Sequence, residues 1–262
     1  MKLIVLGSGT SVPHPQRSSA AHWLTAAGGT LLLDPSPTFM LRAAQEELDW
    51  ANLDAIWVSH FHLDHVGGLA PFLFGTKYAP QTQERVKPLT IYGPHGTARL
   101  LQAFDEAANY RLTAQPFPLT ICEVAPDEPF TLWPGLSART CKTPHTAESL
   151  ALRVRDESGA GLVYTSDTGF SREVAAFARG VTVLLMECSF RVKPRHSKHL
   201  GLADAMRMAE LAHPGRVILS HLYPEWDGVD IAAETGKLWQ GATMAAFDGL
   251  RLEIQGAADE RK

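Results

Sequence analysis

Apolar residues fall along this chain in two alternating patterns, short unbroken runs and helical spacings. Leu3 to Leu6 reads as a buried strand that ends in Gly7-Ser8-Gly9-Thr10. Ala21 to Thr25 and Thr30 to Asp34 predict a hairpin turning at Gly28-Gly29. Thr38 to Leu48 has helical spacing, with Phe39, Leu41, Ala44 and Leu48 apolar. Ala55 to Ser59 is a strand, and Val66 to Thr76 a helix that Pro71 limits or kinks. Leu89 to Tyr92 is a strand, Gly96 to Ala108 a helix, and Leu119 to Arg155 a strand-rich stretch broken by turns. Strands at Gly161 to Ser166 and Val181 to Glu187 flank a helix over Ser171 to Arg179. A helix over Leu202 to Ala212 leads to a strand at Val217 to Ser220 and a helix over Ile231 to Trp239. Thr243 to Phe247 and Arg251 to Ile254 are closing strands. Strands come in groups with helices between the groups, which predicts an α/β fold of sheets covered by helices. No linker, low-complexity tract or short-period repeat divides the chain, so the expectation is one domain, residues 1–262.

Composition narrows the chemistry. The 45% hydrophobic content is ordinary for a globular protein with a sizeable core. A net charge of -4 argues against a general polyanion binder, which is usually basic. Cys122, Cys141 and Cys188 are odd in number and form no C-x-x-C pair, which argues against a cysteine-rich zinc site or a disulfide framework. The apolar run at the N-terminus is too short for a signal peptide, and no stretch reaches membrane-spanning length. The expectation is a cytoplasmic protein with no membrane contact.

The densest chemistry lies in His60-Phe61-His62-Leu63-Asp64-His65, four good metal-binding side chains in six positions directly after an apolar strand. Imidazole and carboxylate together suit zinc or a similar first-row metal. Three further residues repeat the placement. His145, Asp167 and His221 are each the first strong ligand after an apolar run, and a turn or helix follows each. Ligands collect at the carboxyl ends of strands in α/β sheets, so all seven residues can converge on one site. Asp64 also stands where it could cap a helix opening near Val66. Alone, His145 reads as a surface histidine, Asp167 as an Asx turn and His221 as a strand-end histidine. His14, His22, His95, His196 and His213 earn no ligand role. Gly7-x-Gly9 opens no helix and is not a dinucleotide fingerprint.

The series His60-x-His62-x-Asp64-His65 with Gly67-Gly68, then a lone His, a lone Asp and a lone His, resembles the metallo-β-lactamase superfamily from Gly7 to His221. The resemblance implies a four-layer αβ/βα sandwich with two divalent metals at one edge of its sheets, zinc first, manganese or iron as alternatives. It assigns His60, His62 and His145 to one metal, Asp64, His65 and His221 to the second, and Asp167 to both. Two such metals share and acidify a water. The resemblance also suggests that Asp34 braces the histidine loop, and that two chains pair as a homodimer.

Within the superfamily, Asp at 167 and His at 65 point away from the common zinc β-lactamases. Met186-Glu187-Cys188-Ser189-Phe190 and Lys198-His199-Leu200-Gly201 resemble the elements of tRNase Z-like enzymes in which a Glu orients a proton-donating His. That assigns catalytic roles to Asp64, Glu187 and His199, with His199 as the acid for an alkoxide leaving group. Arg191 to Lys198 is a dense basic loop that can receive a phosphate or simply face solvent. The compact stretch between His145 and Asp167 has no room for the long basic arm of tRNase Z, which favours a small phosphodiester or short nucleic-acid substrate. The resulting expectation is a metal-dependent phosphodiesterase that uses a bridging hydroxide. A thioesterase or lactonase on the same scaffold and a metal-bearing binding protein are the alternatives.

Overall fold

The computed structural model describes residues 1–256. Strands β1 (Lys2–Gly7), β2 (Ala21–Ala26), β3 (Gly29–Leu33), β4 (Ala55–Trp57), β5 (Leu89–Gly93) and β6 (Leu119–Glu123) build the first sheet. Helices α1 (Phe39–Gln45), α2 (Leu63–Val66), α3 (Leu69–Tyr78) and α4 (Thr97–Glu106) lie between them in the chain. The second sheet contains β7 (Pro129–Trp133), β8 (Leu136–Lys142), β9 (Leu150–Asp156), β10 (Gly161–Tyr164), β11 (Val183–Glu187), β12 (Arg216–Ser220) and β13 (Thr243–Ala245). Its helices are α5 (Arg172–Phe177), α6 (Leu202–Ala212) and α7 (Ile231–Gly236), and β14 (Arg251–Glu253) returns to pair with β1.

The two sheets follow one plan. In the first, β1, β2 and β3 pair antiparallel and β3 to β6 pair parallel. In the second, β8, β9 and β10 pair antiparallel and β10 to β13 pair parallel. The recurrence is topological and spans half the chain, which is why no short sequence period betrays it.

Both faces of each sheet are buried, so the parallel strands read as continuous apolar runs. In β3, Leu31 and Leu33 point into the layer between the sheets, while Leu32 points out toward the helices. Val183 and Leu185 of β11 face the first sheet, and Leu184 and Met186 face α5 and α6. Three apolar layers result. One lies between the sheets, one under α1, α3 and α4, and one under α5, α6 and α7. This is the four-layer αβ/βα sandwich.

Four local expectations shift. The β2–β3 hairpin turns at Ala27-Gly28, both with positive φ (46° and 78°), as a two-residue turn of primed type requires. The helix expected over Val66 to Thr76 is two helices, broken at Gly67-Gly68. Pro71 does not kink α3, because it is the third residue of that helix, where backbone N–H groups have no intrahelical acceptor. Asp64 lies inside α2 and caps nothing; the helix begins one residue earlier, with His62 at its N-cap. Registers Leu33↔Trp57 and Glu187↔Ser220 then bring the ends of β3, β4, β11 and β12 to a common edge.

Candidate metal centre

Six strand ends deliver the predicted residues to that edge. Asp34 follows β3, the cluster from His60 to His65 follows β4, and His145 follows β8. Asp167 follows β10, Glu187 closes β11 and His221 follows β12. Asp34, Ser166 and His221 turn the chain with positive φ (60°, 52° and 57°), a conformation that costs a non-glycine residue about 1–3 kcal/mol. The neighbouring structure holds all three there, and each orients or adjoins a site side chain.

Asp167 is the hub. Its Oδ2 lies 3.5 Å from His145 Nε2 and 3.6 Å from His60 Nε2. Its Oδ1 lies 3.3 Å from both His65 Nε2 and His221 Nε2. Asp64 Oδ2 completes the second group, 3.4 Å from His221 Nε2 and 3.8 Å from His65 Nε2. His62 Nδ1 completes the first, 3.1 Å from His145 Nε2. Donors of His60, His62, His145 and Asp167 fall within 4.8 Å of one another, and so do those of Asp64, His65 and His221. Four ligands about 2.1 Å from a tetrahedral ion lie about 3.4 Å apart, the scale of these separations.

The donor set fits a metal on a second ground. His60 Nε2, His65 Nε2 and Asp167 Oδ1 are buried without a hydrogen-bond partner. Native interiors rarely leave such atoms unpaired, and these three belong to one cluster of facing donors. The opposite ring nitrogens are engaged. His65 Nδ1 donates to Asp34 Oδ2 at 2.8 Å, and His60 Nδ1 lies 3.0 Å from Ser59 Oγ. His221 Nδ1 lies 3.0 Å from Ser189 Oγ, and His145 Nδ1 lies 3.4 Å from the Lys198 carbonyl. A proton on each Nδ1 leaves each Nε2 lone pair free toward the centre, the arrangement that fixes histidine as a ligand.

Asp34 anchors this outer ring. Fully buried, it accepts from Ser59 N (2.8 Å), Ser59 Oγ (2.7 Å), His65 Nδ1 (2.8 Å) and Tyr164 Oη (2.7 Å). Glu187 does the same on the other sheet. It accepts from Thr168 N (2.7 Å), Ser189 Oγ (2.7 Å), Leu200 N (3.1 Å) and His199 Nδ1 (3.0 Å). His199 stacks on His221 with ring centroids 5.3 Å apart, and its Nδ1 is 3.8 Å from Asp167 Oδ2.

The charges are mutually dependent. Burial opposes ionisation of Asp167, but His221 and His65 outweigh it and hold the carboxyl well below the usual range. Burial likewise opposes ionisation of Asp64, and the His221 hydrogen bond and the His65 charge reverse the balance. Burial, with His65 beside it, keeps His60 neutral. His199 runs the other way. Burial disfavours its cation, yet the hydrogen bond and charge of Glu187 lift it to about 9.

Several contributors carried no local signal. Ser59, Ser189 and Tyr164 orient ligands or their braces, although each reads as an ordinary strand-end residue. Tyr223, two residues after His221, stacks on Phe190 at 4.9 Å and edges His221 at 6.5 Å. His22 is fully buried and bears against Tyr164 at 5.2 Å. Burial, reinforced by His65 and His221, lowers it to about 3. His14 pairs with Asp227 at 2.9 Å, and exposed His95 pairs with Glu123 at 2.8 Å, both outside the centre. His196 is exposed, and His213 caps α6 at its C-terminus.

A four-layer αβ/βα sandwich with converging histidines and aspartates at one sheet edge defines a class of metal-dependent hydrolases. Residues 30–222 match the family model of the beta-lactamase superfamily domain, and the chain belongs to that family. It is 29% identical over 259 residues to the uncharacterized protein Mb1374 of Mycobacterium bovis, covering 98% of this chain and 93% of that one. It is 26% identical to a Ribonuclease Z of Mycobacterium marinum, covering 97% and 95% of the two chains. Among solved structures it superposes on the metallo-beta-lactamase fold protein YhfI from Bacillus subtilis with a TM-score of 0.83, at 23% identity, over 96% of this chain and 98% of that chain.

Proposed function

We propose that the protein is a metal-dependent phosphodiesterase with a dinuclear, zinc-preferring centre that cleaves a small phosphodiester or a short nucleic acid. The observation that carries this reading is His199. Braced by Glu187 at 3.0 Å, it stands beside Asp167 and stacks on His221, where a leaving oxygen needs a proton. The similarity to a relative named Ribonuclease Z favours the same chemistry.

His60, His62 and His145 would hold one ion, Asp64, His65 and His221 the other, and Asp167 would serve both. When bound, such ions polarise phosphoryl oxygens and acidify water. The chain's own side chains do the rest. Asp64 and Asp167 enter the reaction ionised, because the surrounding histidines favour their anions. Nδ1 of His199 is committed to Glu187, so the proton for the leaving oxygen sits on Nε2. Exposed His62 leaves the centre open to substrate on its own side. Arg191, Arg195 and Lys198 are exposed on the loop that leads into His199 and offer cations to flanking phosphates.

Between His145 and Asp167 the chain forms only the β9–β10 hairpin, with no arm to hold a folded RNA. That favours short substrates. The test is side-by-side turnover of bis(p-nitrophenyl) phosphate and a thioester by the metal-loaded protein. Preferential phosphodiester hydrolysis that chelation abolishes supports the reading. Preferential thioester cleavage contradicts it.

A further inference from the structure

Beside the centre, on the outer face of β8 and against α5, lies a cavity of about 950 Å³. It is at the upper end of the size range of ligand sites, about 300–1,000 Å³. His145 forms part of its wall, so it adjoins the ligand cluster directly. Its lining is graded. At the end nearest the centre stand Lys198, whose Nζ bonds the His145 carbonyl at 3.0 Å, Lys142, which bonds the Ala147 carbonyl, and half-buried Phe170. Farther along, Arg139 bonds the Asp127 carbonyl at 3.2 Å, and Glu173 and Phe177 of α5 complete the wall.

Each type of group matches one part of a nucleotide. Lysines at the near end suit a phosphate that follows the scissile one. Phenylalanine faces suit a base, since aromatic stacking tolerates any sequence. Asp127 and Glu173 at the far end are acceptors for exocyclic amino groups. Lys198 is also the last cation of the basic loop Arg191 to Lys198, which leads into this end of the cavity. We infer that this cavity is a nucleotide subsite, and that the physiological substrate is a single-stranded oligonucleotide whose next base and phosphate lie in it. The inference rests on the phosphodiesterase reading and specifies its substrate class.

The test compares triadenylate, long enough to enter the cavity, with bis(p-nitrophenyl) phosphate, which is not. For Lys142→Glu and, separately, Arg139→Glu, both exposed side chains on β8, kcat/KM for triadenylate should fall at least about tenfold relative to the aryl diester, mainly through KM. Phe170→Ala should show the same asymmetry. Equal losses on both substrates in all three variants overturn the subsite. If neither substrate is hydrolysed, the phosphodiesterase reading fails, and titration of 5′-AMP into the metal-loaded protein still decides the cavity. Binding that Lys142→Glu and Phe170→Ala each weaken about tenfold upholds the subsite, and affinity unchanged in both rejects it.

Discussion

Glu187 Oε1 lies 3.0 Å from Nδ1 of His199, and three further donors hold the same carboxylate in place. The pair joins the end of β11 to the loop before α6, and it sets both the tautomer and the charge of a histidine at the rim of the centre.

His199→Ala should therefore slow esters with poor, alkoxide-like leaving groups by about 10²–10⁴-fold, while activated aryl esters, which need no proton, lose far less. Glu187→Gln should show the same leaving-group dependence in weaker form, since the amide still accepts but no longer favours the cation. A Brønsted series of aryl and alkyl phosphodiesters measures both. Equal losses across the series would remove His199 as the acid.

Asp34 touches none of the donor atoms that face the centre, yet it holds His65 and, through Ser59, His60. Asp34→Asn should weaken metal affinity about 10–100-fold, as loss of such support generally does, and leave the far-ultraviolet circular dichroism unchanged. Competition with a chromophoric chelator gives the number. Unchanged affinity would mean that Asp34 serves only the turn.

Burial raises the thiol of Cys141 to about 11 and pushes that of Cys188 well above its usual value, away from the thiolate that reacts. Cys122 is half-buried. Iodoacetamide at pH 7.5 should modify Cys122 well before the other two, and all three together once the protein is unfolded. Peptide mass spectrometry reads the order. Early labelling of Cys188 would contradict the packing of β11 against α6.

Much of the molecule was legible because local chemistry and fold agreed. The helix expected over Leu202 to Ala212 is α6 residue for residue, set by clear helical periodicity. The convergence of the seven candidate ligands was readable because the His60 to His65 cluster, His145, Asp167 and His221 each follow an apolar run, and such runs end at one sheet edge. Pairings that only tertiary structure creates were not readable. Tyr164 reaches Asp34 across 130 residues, and nothing in Leu162-Val163-Tyr164 announces it. The short helix α2 escaped detection because four residues carry no period, and with it went the true place of Asp64. The burial of His22 was not readable either, since its environment is made by β2 meeting β10 from the other sheet.

The account rests on Asp167 standing between two ligand groups. Elemental analysis of the purified protein, alongside Asp167→Ala, tests this most directly. The wild-type protein should retain about two equivalents of divalent transition metal per chain through dialysis, and Asp167→Ala should retain one or fewer. Wild-type protein that holds no tightly bound metal, or that keeps full activity after chelation, would contradict it.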